Sequence, residues 1–158
     1  MNLDKINRWL TLLANLGVLA GILFLAIELE QNTKATQAQT RDSITEKLNS
    51  WQLTISANEF TALAFYKGLR NEELTPAETA AFNMLMTSNL RMWENEWYQY
   101  ELGLFTAEEF EPRLVRWERS MADCGYQRNW GTGRAYSPGF REVINELIKK
   151  APPVDCNR

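Results

Sequence analysis

Hydrophobic and polar positions separate along this chain into one unbroken apolar run followed by a series of helical stripes. The run is WLTLLANLGVLAGILFLAI, Trp9 to Ile27, 19 positions without a charge. A helix rises about 1.5 Å per residue, so this stretch covers close to 30 Å, the hydrocarbon thickness of a bilayer. It predicts an uncleaved membrane anchor. A cleaved signal peptide has a shorter apolar region and a small-x-small site, whereas the run ends in Phe24-Leu25-Ala26-Ile27-Glu28-Leu29-Glu30. A buried core helix is the soluble alternative, and such helices carry more polar punctuation over this length. Within the run, Ala14, Gly17 and Gly21 share one face, which lets helix backbones approach closely in lipid, and Asn15 near the bilayer centre favours an amide partner on another helix. Trp9 suits an interfacial position.

After the run the periodicity is helical throughout, and no alternating stretch reads as a strand. Between Glu28 and Ala57 there is no proline or glycine, and Ile44, Leu48, Trp51 and Ile55 form a stripe. Gln31 to Thr40 is polar, so the anchor helix is expected to run on into a solvent-exposed stalk. Asn58 is placed to cap a short helix carrying Phe60, Leu63 and Leu69 and ending near Gly68. Thr75-Pro76-Ala77-Glu78 combines a capping box with proline at the first helical position. It opens a helix to about Tyr100 with Phe82, Leu85, Met86, Asn89, Met92, Trp93, Trp97 and Tyr100 along its inner side. Thr106-Ala107-Glu108-Glu109 is a second capping box, opening a helix with Phe110, Leu114, Trp117 and Met121. Gly103 permits a tight reversal, so these two helices should pack antiparallel. Cys124 to Gly139, rich in glycine, reads as a loop. Ser137-Pro138 starts a last helix with Phe140, Ile144 and Leu147 on one face, closed by Lys149 and Lys150. The fold class is all-α: an anchor helix over 1–30, a stalk over 31–57, a helical bundle over 58–150 and a flexible tail over 151–158.

Composition changes this picture at three points. The formal net charge of -3 is spread without runs of one sign, which excludes the basic footprint of a nucleic-acid binder. Six tryptophans in 158 residues point to an aromatic core or contact surface. The chain has no histidine, which removes histidine triads and histidine metal ligands. Cys124 and Cys156 lack metal-ligand spacing. They are expected as free thiols, with Cys156 in a loose tail, and as a bridge only if the domain lies outside the cytoplasm.

Two clusters carry candidate chemistry. Arg91 to Glu101 packs aromatics and carboxylates into three turns, and Arg91, Glu94 and Trp97 are its candidate binding residues. The alternative is that Trp93, Trp97 and Tyr100 are core while the charges pair. The glutamates lack the Glu-x-x-His partner that di-iron bundles require, so no metal and no cofactor is expected. The second cluster, Arg128 to Tyr136, offers Arg128, Arg134 and, shortly after, Arg141 for a phosphate or lipid headgroup. Its alternative is a connecting loop whose arginines cap helix ends. No serine or threonine has a visible base, and Cys124 has no activating histidine, so nucleophilic catalysis lacks its parts. Glu109 with Arg113 and Glu146 with Lys150 read as ordinary helical pairs.

The apolar helix running into Leu29-Glu30-Gln31-Asn32-Thr33-Lys34-Ala35, then Tyr66-Lys67-Gly68-Leu69, Trp97-Tyr98-Gln99-Tyr100-Glu101-Leu102-Gly103-Leu104 and Ser137-Pro138-Gly139-Phe140 resemble a group of small uncharacterised bacterial proteins with one span and a helical remainder. The resemblance implies architecture, an inner-membrane location and a domain on the cytoplasmic side. Relatives are more basic just after the span, where this chain has Glu28 and Glu30. Basic residues near the two ends, Lys5 and Arg8 against Lys34, Arg41 and Lys47, leave orientation open. The functional expectation is a non-catalytic scaffold or accessory subunit that contacts the lipid bilayer and forms a homo-oligomer or joins a larger membrane complex. The alternative is a membrane-proximal module that binds an apolar or anionic ligand.

Overall fold

The computed structural model describes residues 3–131, 135–151 and 156, and among them the chain is wholly helical. Six helices follow one another: α1 (Leu3–Ser56), α2 (Glu59–Leu69), α3 (Pro76–Glu101), α4 (Ala107–Met121), α5 (Cys124–Trp130) and α6 (Pro138–Lys150). The chain divides into two compact units, Met1–Gln39 and Thr40–Arg158. The first unit consists of the N-terminal part of α1. The second contains the remainder of α1 and the five shorter helices.

Local sequence accounts for most helix boundaries. Asn58 caps α2 by accepting from the backbone N–H groups of Phe60 and Thr61. At α3 both halves of the Thr75–Glu78 capping box are present, with Pro76 at the first turn. At α4 the Thr106 side chain accepts from the Glu109 N–H, while Glu109 reaches its own side-chain partners, the Thr106 hydroxyl and Arg41. Gly103 takes a positive φ of 70°, a conformation that costs glycine little. The chain there reverses, and α4 runs antiparallel to α3. The contacts descend in register: Phe110 on Tyr100, Arg113 on Glu96, Trp117 on Trp93.

The core of the second unit is aromatic. Trp93 stacks with both Trp117 and Tyr126, with ring centroids 5.1 and 5.2 Å apart. Phe140 meets Trp117 edge-on at 6.1 Å, and Phe82, Met86, Leu90, Met121 and Ile144 fill the space around them. Burying each such side chain stabilises the fold by roughly 1.5–3 kcal/mol, and favourable ring pairs add about 0.5–1.5 kcal/mol each. Ile44 of α1 is part of this core, and Trp51 sits edge-on against Phe65 while its indole N–H donates to the Leu85 carbonyl at 3.1 Å. Residues 40–56 of α1 thus pack with the bundle.

Three expectations change. The inner face of α2 is not Phe60 and Leu63, which are 45% and 44% exposed, but Ala64 and Gly68 with Phe65 and Leu69 beside them. Small residues bring α2 close to its neighbours: a Cβ on Gly68 would collide with the Phe82 ring, and one on Gly125 would lie 2.6 Å from the Gly68 carbonyl. That close approach explains the second change. Cys124 to Trp130 is a helix, not loop, because Gly125 serves there as a packing surface. Ser137-Pro138 starts α6 as expected, with no hydrogen bond from the Ser137 side chain to the helix end. The Glu94 carboxylate of α3 accepts from the Ser137 N–H at 2.6 Å instead.

Third, Cys124 and Cys156 are joined in a disulfide with Cα atoms 5.3 Å apart. The free-thiol expectation rested on a loose tail, yet Cys156 is also held by Asn71, whose amide donates to its carbonyl at 2.8 Å. Asn71 occupies the left-handed region with φ 59°, which asparagine tolerates better than most residues. The bridge closes a loop across a separation of 32 residues, and a loop of that size stabilises by about 3–4 kcal/mol through lost chain entropy. Cys156→Ser should therefore lower the denaturant midpoint by an amount equivalent to about 3–4 kcal/mol. An unchanged midpoint in paired unfolding curves would refute this.

Candidate functional site

The apolar run places its side chains outward along α1. The large apolar residues from Trp9 to Leu29 are between 54% and 67% exposed. An 18-residue window in this helix has a hydropathy of 2.4 and is 0% buried. By length and composition the helix suffices to cross a membrane. Gly17 and Gly21 have open space where a side chain would stand, and Ala14 and Asn15 beside them are exposed. The Thr11 hydroxyl is satisfied by the Asn7 carbonyl at 2.9 Å, so Asn15 carries the side-chain amide on this surface.

Among the six candidate binding residues, Arg91, Glu94 and Trp97 fall on one side of α3. Arg91 pairs with Glu94, donates to the Ala135 carbonyl at 2.8 Å and lies over the Tyr136 ring at 4.6 Å. Burial raises the Glu94 carboxyl, but the Ser137 N–H and Arg91 outweigh it, and the net shift is downward. Trp97 is half-buried and packs against Phe140. These three residues together hold the entry to α6 onto α3. Arg128 lies elsewhere, donating to Asn71 at 2.7 Å and standing over Phe82. Arg141 is exposed on α6, and Arg134 lies outside the described residues. The five described positions do not converge on one pocket.

Glu96 is the polar centre of the fold. It is 1% exposed, although it carries a carboxylate. One oxygen accepts from Arg113 at 2.9 Å, and the other, Oε2, has no protein partner. A recess of about 30 Å³ adjoins it, lined among others by Asn89, Arg113, Arg116, Ser120 and Tyr126. The Tyr126 hydroxyl donates to Asn89 at 3.0 Å. Burial pushes the Glu96 carboxyl up, against the opposing pull of Arg113 and Arg116. Burial also pushes the Tyr126 phenol up to about 12. No group of three or more histidine, cysteine, aspartate or glutamate side chains able to hold a metal occurs among the described residues.

Compared with known proteins, the chain matches no family model, no curated protein and no solved structure.

The Glu96–Arg113 pair was hidden in the sequence because Arg113 also stands four residues from Glu109 and reads as its helical partner. The available signal was register: Glu96 falls three residues after Trp93 and four before Tyr100, inside the stripe that meets the core. A glutamate there needs a cation from a neighbouring helix, since breaking a buried pair costs about 3–5 kcal/mol.

Glu78 and Glu96 make stability respond to pH in opposite senses. The Lys67 side chain, then the Thr75 N–H and hydroxyl, hold the Glu78 carboxyl down at about 2. Its contribution is complete above the ordinary value of 4.5 and is lost as pH falls from there through about 2. Glu96, raised mainly by burial, favours the fold fully below the ordinary value of 4.5 and progressively less as pH climbs from there through its raised value. Glu78→Gln should flatten the acid limb of a stability–pH curve. Glu96→Gln should leave that limb in place and remove a decline at higher pH. Identical curves for wild type and both variants, from denaturant unfolding at stepped pH, would overturn the assignment.

Proposed function

We propose that this chain is a non-catalytic, single-pass protein of the cell membrane, a small scaffold or accessory subunit that associates through helix–helix contacts. The observation that carries the reading is the exposed apolar half of α1, whose 18-residue window is 0% buried. Apolar area left in water costs about 25 cal/mol per Å², so thirteen large side chains there call for an apolar surrounding. Lipid supplies it. Within lipid, the Ala14, Gly17 and Gly21 face admits a second helix at close range, and Asn15 gains an amide partner. The non-catalytic reading is supported by the residue inventory, which has no histidine to activate a hydroxyl or thiol.

The bundle belongs on the oxidising side of that membrane, in place of the cytoplasmic side that the family resemblance implied. Disulfides persist in oxidising compartments and are rare in the cytosol, and Cys124–Cys156 is such a bond. Charge does not decide between the two orientations: Lys5 and Arg8 precede the apolar run, and Lys34, Arg41 and Lys47 follow it. The alternative reading, a module that encloses a ligand among Trp93, Trp97 and Trp117, loses support from the core itself. The tryptophans there stack on one another and on neighbouring rings, and the adjoining recess of about 30 Å³ is water-sized.

Two measurements test this reading. Gly17→Ile and Gly21→Ile should each reduce cross-linked oligomer of the full chain in detergent several-fold, and unchanged cross-linking would sink the association face. Alkylation of intact cells before lysis, followed by non-reducing electrophoresis, should show the chain oxidised. Two free thiols under those conditions would place the bundle in the cytoplasm.

A further inference from the structure

We propose that the α3–α4–α5 junction binds one ordered water molecule, which links the second oxygen of Glu96 to Arg116 and Ser120 of α4. Three observations lead there. Glu96 Oε2 is buried and has no protein hydrogen-bond partner, and buried polar groups are seldom left so. The recess beside it measures about 30 Å³, and one water needs roughly 10–15 Å³ of such space. Its lining includes residues with complementary groups: Glu96 with its carboxyl, Arg116 with a guanidinium that acts electrostatically on Glu96, and Ser120, whose hydroxyl hydrogen-bonds the Tyr126 phenol.

The charge of the lining selects the occupant. A cation would face Arg113 and Arg116 at close range, and an anion would face Glu96. A neutral molecule with both donors and acceptors satisfies the set. Water accepts from Arg116 and donates to Glu96 Oε2 and Ser120 Oγ, about three hydrogen bonds, the usual number for an internal water. Oε2 finds a partner there in either protonation state, as acceptor when ionised and as donor when protonated. The consequence is geometric. Arg113 binds one oxygen of Glu96 directly, and Arg116, one turn further along α4, binds the other through water. A single carboxyl of α3 then clasps two successive turns of α4 and specifies their register, which stacked rings alone leave free to slide.

A crystal structure of the full chain in detergent, at a resolution that shows ordered solvent, tests the site directly. Density for one water within hydrogen-bonding distance of Glu96 Oε2 and Arg116 is the expected result. A dry recess, or Arg116 collapsed onto Glu96, would overturn it. In solution, water relaxation dispersion should count one fewer long-lived water in Glu96→Leu than in wild type, with Glu96→Gln unchanged. Equal counts in Glu96→Leu and wild type would overturn it too. Should Glu96→Leu fail to fold, the wild-type density and the Glu96→Gln count decide.

Discussion

The aromatic face of α3 is what the other helices of the bundle depend on. Trp93 stacks on Trp117 of α4 and Tyr126 of α5, Trp97 packs on Phe140 of α6, and Phe82 lies against Phe65 and Gly68 of α2. Large planar side chains bury much area at little rotamer cost, so one helix of 26 residues can organise several shorter ones. The short helices have little independent stability, since isolated helices below about 12–15 residues are marginal in water. Their order comes from packing on α3.

Buried polar groups give that apolar surface its specificity. Glu94 reaches the Ser137 N–H and starts α6 from another helix, while Glu96 draws Arg113 of α4 inward. Both carboxylates lie on α3, two residues apart, on opposite flanks of the tryptophan stripe. The same element therefore supplies the hydrophobic area and the directional bonds that select which neighbour lies where. The disulfide and Asn71 add a third constraint, tying Cys156 to α5 and to the turn after α2.

The first unit follows different physics. Its side chains are apolar around the whole circumference of α1 from Trp9 to Ile27, and a helix of that kind has no face to offer an aqueous bundle. The membrane reading proposed for the chain rests on that all-round character. The Ala14, Gly17 and Gly21 face matters only within it, because close backbone approach is a device suited to lipid, where the hydrophobic effect no longer drives helices together.

The apolar run, the capping signals at Asn58, Thr75 and Thr106, the reversal at Gly103 and the stripes of α3, α4 and α6 were legible because each is written in a few adjacent residues or one helical period. The inner face of α2, helix α5, the cap that Glu94 lends to α6, the Cys124–Cys156 bond and the Glu96–Arg113 pair were not. Each joins residues from separate helices, and local periodicity carries no record of which helix will arrive opposite. Phe60 reads as one of the apolar residues that α2 carries, and only Gly68 and Gly125 show that contact there favours the smallest side chains. Arg113 reads as the partner of Glu109 until α4 packs against α3. By itself, the sequence determined the helices other than α5, most of their ends and the apolar run, since those depend on near neighbours along the chain. Only the tertiary structure decided which charges are buried and which cysteines meet, since those depend on distances that folding creates.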